Sequence, residues 1–243
     1  MTELTLKYWN GRGLAEVARV MLAIDGKFPG KGYTDERFDA PPTEGLDANL
    51  GRLPILNVTT DGVTTSVGQS KGIYQYVASV TGLLGSTPLE GAQIITFAEH
   101  MTEMNLFFSK TVPYGTVPTD EAFVTLFDDA TATDYTGVAD GKNSSKRNIL
   151  WYASRMEHIV GKDGFAVGGK LSLADVLIFS RFGECLPEAG NEKVAKTSRE
   201  PFGSLERTQK LLAQLPNLSK IVATVANHPN VVKWLAMRGP QGF

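Results

Sequence analysis

A phenol, two glycines and an arginine stand together near the start of the chain, in Tyr8-Trp9-Asn10-Gly11-Arg12-Gly13. A tyrosine hydroxyl titrates at about 10, so at neutral pH it donates a hydrogen bond to an anion without becoming one. Two more patches suit the same kind of chemistry. In Gly51-Arg52-Leu53-Pro54-Ile55-Leu56 a proline opens a strand, where its missing N–H is tolerated. A bend there turns the N–H and C=O of Leu53 outward, where they can pair with an extended, peptide-like ligand. In Gly68-Gln69-Ser70 a helix begins, and its first N–H groups and dipole favour a carboxylate or phosphate. Each patch alone also has a plain structural reading: a packed strand-end aromatic, a loop-to-strand junction, an N-cap serine.

Other chemistries are excluded or disfavoured by composition. The G-x-G of residues 11–13 lacks the third glycine of a dinucleotide fingerprint, since Glu16 stands there, and no Lys-Ser/Thr pair makes a P-loop. Lone Cys185 rules out a disulfide framework, a CxxC redox centre and a cysteine-rich zinc site. Three scattered histidines (His100, His158 and His228) argue against a histidine metal site. A formal charge of -2, from 24 basic and 26 acidic residues, gives no footprint for nucleic acid or an anionic membrane. No apolar run approaches the ~20 residues of a membrane helix, and the expected setting is cytoplasmic and reducing.

The elements that must position these residues follow from periodicity. Leu4, Leu6 and Tyr8 alternate with polar neighbours as in a strand, and Val17, Ala18, Met21 and Ile24 then keep helical spacing. Residues 32–38 read as a second strand, and 39–49 as a polar, proline-bearing link. Ile55–Val58 and Val63–Val67 flank Asp61-Gly62 as a hairpin, and Ser70–Thr81 reads as a helix stopped by Gly82. Beyond Pro88 helical spacing takes over, at 89–110, 148–160, 172–186, 205–214 and 218–237, the last with a break at Pro229. Segments near 111–145 and 187–204 read as insertions with loop character.

This order, with Tyr8 ending the first strand, Leu53-Pro54 opening a later one and Gln69-Ser70 heading a helix, resembles the cytosolic glutathione transferases. It is nearest their tyrosine-using, sigma-like branch. The resemblance covers nearly the whole chain. It includes Gly168-Gly169-Lys170-Leu171-Ser172-Leu173-Ala174-Asp175, similar to the family's helix-capping motif, and the closing Leu215-Pro216-Asn217-Leu218 and His228-Pro229-Asn230-Val231.

The resemblance implies an α/β thioredoxin-like domain (β-α-β-α-β-β-α) over 1–84 and an all-helical domain over 88–243 holding an electrophile pocket. It implies glutathione as co-substrate, no metal, a small hydrophobic electrophile and a homodimer. Free thiols titrate at about 8.5, so little thiolate exists at pH 7. A hydroxyl aimed at the sulfur favours the anion by ~1.5–3 kcal/mol, which makes Tyr8 the expected catalytic group. By the same resemblance the backbone of Leu53, before Pro54, meets the cysteinyl unit. Gln69 and Ser70 hold the γ-glutamyl carboxylate, and Arg52 reaches the glycyl carboxylate. Glu103 of the partner subunit, or Glu99 one turn earlier, meets the glutamyl amino group. Met104, Phe107 and Phe108 are pocket or core residues of the helical domain. Two features depart from the pattern. Leu14 stands where sigma-like relatives carry arginine, and 39–49 has no counterpart of their tryptophan and lysine. The implied reaction is conjugation, or a related isomerase or peroxidase reaction. The alternative is a non-catalytic binding or structural protein on the same scaffold. A thioredoxin-type oxidoreductase is disfavoured because residues 1–84 hold no cysteine.

Overall fold

The computed structural model describes residues 2–113, 116–127, 147–184 and 201–238. Five strands form one mixed sheet: β1 (Thr2–Trp9), β2 (Phe28–Pro29), β3 (Gly32–Phe38), β4 (Ile55–Thr60) and β5 (Val63–Gly68), in the order β2-β3-β1-β4-β5. The right-handed crossover logic of a parallel pair puts helix α1 (Glu16–Ile24) between β1 and β3, which run parallel with Tyr8 opposite Arg37. The Asp61-Gly62 turn folds β5 back on β4, antiparallel. Alternation in β1 buries Leu4, Leu6 and Tyr8 on one face, and α1 and α2 (Ser70–Val80) supply the apolar layer above them.

Two details were not legible in the periodicity. Strand β2 is only two residues long, too short for a period to register. The middle helix of the implied β-α-β-α-β-β-α pattern is here a single 3₁₀ turn, Asp47–Asn49, in keeping with the polar reading of 39–49. That turn packs against the end of β5: a Cβ added to Gly68 would lie 2.1 Å from the Ala48 carbonyl oxygen, so only glycine fits.

The helical part follows as α3 (Pro88–Thr111), α4 (Asp120–Phe127), α5 (Ile149–Ile159), α6 (Leu173–Ile178), α7 (Leu205–Leu212), α8 (Pro216–Ala226) and α9 (Pro229–Arg238). Helix α4 lies in a stretch expected as a loop; its run Ala122-Phe123-Val124 with Leu126-Phe127 buries Leu126 and Phe127. Residues 114–115 and 128–145 of that expected insertion fall outside the described residues, as do 187–200 of the second. The expected helix over 172–186 changes pitch, its α-helical turns giving way to a π-helical turn over Phe179–Gly183. Gly183 permits this against α8, since a Cβ there would sit 2.1 Å from Val222 Cγ1. Phe202, within a 3₁₀ turn at Pro201–Gly203, is fully buried among Phe108, Phe127 and Phe182 at 5.3–6.2 Å between ring centroids. Four edge-on aromatics thus tie α3, α4 and the π turn together.

Asp175 anchors α6. Its carboxylate accepts the N–H and hydroxyl of Ser172 at 2.7 and 2.6 Å and the N–H of Ala166 at 2.6 Å. Burial pushes its carboxyl up to about 6, against the pull of those donors. The Leu173 N–H donates to the Leu83 carbonyl at 2.9 Å, joining this capped end to the loop that follows α2.

Candidate active site

Sheet pairing brings the three sequence patches to one edge. Lys7 pairs with Ile55 and Ile55 with Gly68, so the ends of β1 and β5 flank the start of β4. Tyr8, Leu53-Pro54 and Gln69-Ser70 are therefore neighbours across two ladders. The Leu53-Pro54 bond is cis, and Leu53 precedes the paired residues of β4. Asn49, buried under the bend, donates from Nδ2 to the Pro54 carbonyl at 3.1 Å. Arg52 turns back toward the same loop, its Nε 3.3 Å from the Asn49 carbonyl.

Gln69 is the backbone outlier of this edge, at φ 61°, ψ 128°. That region is almost reserved for glycine and costs of order 1–3 kcal/mol for another residue. The strain falls at the residue before Ser70, where helix α2 offers its first N–H groups.

A cavity of about 700 Å³ lies between this edge and the helical part. Tyr8, Gly13, Leu14, Ser70 and Lys71 line one wall; Met101, Asn105, Leu106 and Phe108 of α3 line the other; Arg12, Ser180, Arg181 and Glu184 close its end. The Tyr8 ring is buried, and its oxygen accepts the Leu14 N–H at 3.0 Å. The Tyr74 hydroxyl donates to the Leu14 carbonyl at 2.6 Å and shares a hydrogen bond with Ser70. Burial holds the Tyr74 phenol well above its ordinary range, with Tyr8 and Glu16 acting in the same direction, so it stays a donor. Leu14 is thus gripped at both its N–H and C=O by two phenols. Gly13, at φ +38°, leaves the room: a Cβ there would lie 2.5 Å from the Tyr8 oxygen.

Behind the turn lies a buried array of charges. Arg12 Nη1 is 3.0 Å from Glu184 Oε1, and Arg238 Nη1 is 2.5 Å from both Glu184 Oε1 and Glu16 Oε1. Trp234 Nε1 donates to Glu16 Oε1 at 2.8 Å. Arg19, with no exposed surface, donates to the Gly11 carbonyl at 2.6 Å and pairs with Asp35 at 3.1 Å. Burial alone would raise the Glu184 carboxyl; Arg12 and Arg238 outweigh it and hold the group below its ordinary value. Sequence reasoning missed this array. One signal was available, a glutamate and an arginine three residues apart on an otherwise apolar helix, Glu16-Val17-Ala18-Arg19. Nothing local marked Glu184 or Arg238 as their partners.

Of the expected residues, Tyr8 and Ser70 line the cavity, while Arg52, Leu53, Pro54 and Gln69 stand on adjoining strand and helix ends. Glu103 is not in the cavity wall: it accepts the Tyr152 hydroxyl at 3.0 Å, with Arg147 at 3.9 Å. Burial, with the hydrogen bond and charge of Glu103, pushes the Tyr152 phenol up to about 12. Glu99 pairs with Lys71 at 2.7 Å. Met104 is core, Phe108 is a buried member of the cavity wall, and Phe107 packs partly buried against the core.

A family model described as the C-terminal domain of glutathione S-transferases matches residues 130–238. An S-crystallin of Nototodarus sloanii is 22% identical over 246 residues, covering all of both chains. Glutathione S-transferase 3 of Caenorhabditis elegans is 25% identical over 228 residues, 89% of this chain and 98% of that one. These matches make the chain similar to the cytosolic glutathione transferases. Its fold agrees with that of a Nu-class transferase from Haemonchus contortus, with a TM-score of 0.66 at 24% identity and full coverage of both chains. The cavity has the sheet edge on one side and α3 and the π turn on the other. Among the described residues no helix is long and apolar enough to cross a membrane, and no cluster of three metal-ligating side chains is present.

Proposed function

We propose that the chain is a glutathione transferase in which the Tyr8 hydroxyl stabilises the thiolate of glutathione for attack on a small hydrophobic electrophile. One observation carries this reading: the Tyr8 oxygen lies in the cavity wall and accepts the Leu14 N–H at 3.0 Å. That contact fixes one lone pair and directs the hydroxyl proton away from the turn, which makes it a donor for a sulfur in the cavity. A bond of this kind, worth ~1.5–3 kcal/mol, lowers a thiol by roughly one to two pH units, enough to raise the thiolate fraction manyfold.

In this reading the outward backbone of Leu53, before Pro54, pairs with the cysteinyl unit as a short strand addition. Gln69 and Ser70 receive the γ-glutamyl carboxylate at the start of α2, and Arg52 meets the glycyl carboxylate. Glu103 of a second subunit meets the amino group, which requires a homodimer, and the setting is cytoplasmic. The apolar face of α3, with Met101, Leu106 and Phe108, suits a small hydrophobic electrophile.

Conjugation of a chloro-nitroarene, together with calorimetric glutathione binding, tests the reading. Wild-type protein should do both, and Tyr8→Phe should lose about ten- to a hundredfold in turnover with little change in binding. Equal turnover in Tyr8→Phe removes the hydroxyl from the mechanism. A second reading, a non-catalytic protein on this scaffold, is favoured by the full-length match to an S-crystallin and by Leu14 in place of arginine. Binding without turnover would select it.

A further inference from the structure

We propose that Arg238, in the last turn of α9, is a positioning residue for the Tyr8 hydroxyl. The proposal rests on the transferase reading above. Its starting point is that one guanidinium nitrogen holds both ends of the turn that presents Leu14. Arg238 Nη1 sits 2.5 Å from Glu16 Oε1 and 2.5 Å from Glu184 Oε1. Glu16 opens α1 and follows the Gly13–Ala15 turn directly; Glu184 grips Arg12, which precedes that turn, at 3.0 Å. The Glu16 N–H also closes on the Arg12 carbonyl at 3.1 Å. Leu14 is the middle residue of this clamped turn, and its N–H is the group that meets the Tyr8 oxygen.

The clamp is buried throughout. The Arg238 side chain has no exposed surface, and those of Glu16 and Glu184 are 1% and 4% exposed. Charged hydrogen bonds in such surroundings have defined geometry, and a planar guanidinium fixes direction in a way a mobile ammonium does not. Glu16 and Glu184 keep other donors when Arg238 is removed, namely Trp234 and Arg19 for Glu16 and Arg12 for Glu184. Loss of Arg238 therefore unties the two ends of the turn from each other. The Leu14 N–H then drifts relative to the Tyr8 oxygen, and the phenol loses the constraint that aims its proton. More than 220 residues separate the two in sequence, so the last described helix sets the direction of a bond made at the end of the first strand.

The test follows the bound thiol itself. Full-length protein saturated with glutathione is titrated with pH while the ultraviolet absorbance of the thiolate is recorded. In Arg238→Met the midpoint should rise by about one pH unit, roughly a tenfold loss of thiolate at acid pH. kcat should fall while KM for glutathione stays within roughly twofold. Arg238→Lys, which retains charge without the planar fork, should fall between Met and wild type. If Arg238→Met does not fold, Arg238→Gln is read in the same way. An unmoved titration in any folded variant lacking the guanidinium overturns the role of Arg238. So does a loss confined to KM. Absence of a thiolate band in the wild-type protein overturns the glutathione reading and this proposal with it, an outcome visible before any variant is made.

Discussion

The two sides of the Tyr8 turn are built to opposite plans. Behind it, Arg12, Glu16, Arg19, Glu184 and Arg238 interlock with almost no exposed surface. In front, at the rim, Lys71 and Glu99 form a pair whose side chains are 46% and 55% exposed, beside a strained Gln69. Both regions are charged, yet only one can hold a group in place. Water screens the rim pair and competes for its hydrogen bonds, whereas the buried ions have no solvent to fall back on. Rigidity has been placed behind the phenol, and access in front of it.

The largest way to break that contrast is to remove a buried carboxylate. Glu184→Ala takes a buried carboxylate from both Arg12 and Arg238, and urea unfolding should show a loss of about 3–5 kcal/mol. A loss under about 1 kcal/mol would mean that the array is loosely held after all. Next is Gly13→Ala. Its Cβ collides with the Tyr8 oxygen at a backbone angle unfavourable for alanine, so turnover should fall about tenfold or more, along with about 1–2 kcal/mol of stability. Unchanged turnover would show that the hydroxyl tolerates displacement.

Acid sharpens the comparison further. The folded-state carboxyl of Glu184 lies below its ordinary 4.5, so its contribution is present above that pH and lost as pH falls through the lowered value. Asp175 runs the other way. Raised from 3.8 to about 6, it favours folding most below about 3.8, and that contribution is lost as pH rises through about 6. Urea midpoints against pH should therefore lose part of their acid fall in Glu184→Gln, and part of their decline from pH 4 to 6 in Asp175→Asn. The smallest effect belongs to the rim. Lys71→Ala should change stability by less than about 1 kcal/mol, and what change there is should fade in high salt.

Much of the fold was legible from local pattern. Alternation in Leu4-Thr5-Leu6-Lys7-Tyr8, the Asp61-Gly62 turn and the Ser172/Asp175 spacing each carry their structure in a few neighbouring residues. The short β2, the helix at Asp120–Phe127 and the π turn at Phe179–Gly183 do not, because packing partners far along the chain decide them. Gly183 shows why: its lack of a Cβ matters only because Val222 comes to rest on it.

The same division runs through the candidate site. Residue types and short spacings by themselves determined that a phenol ends the first strand, that Leu-Pro opens another and that Gln-Ser heads a helix, since each depends on propensity within a few residues. Which of these share a cavity, and that Glu184 and Arg238 stand behind Tyr8, was decided only when strands paired and α9 docked on α1. A buried charge is tolerable only beside its opposite, and that partner is chosen by contact in space, which one-dimensional spacing does not encode.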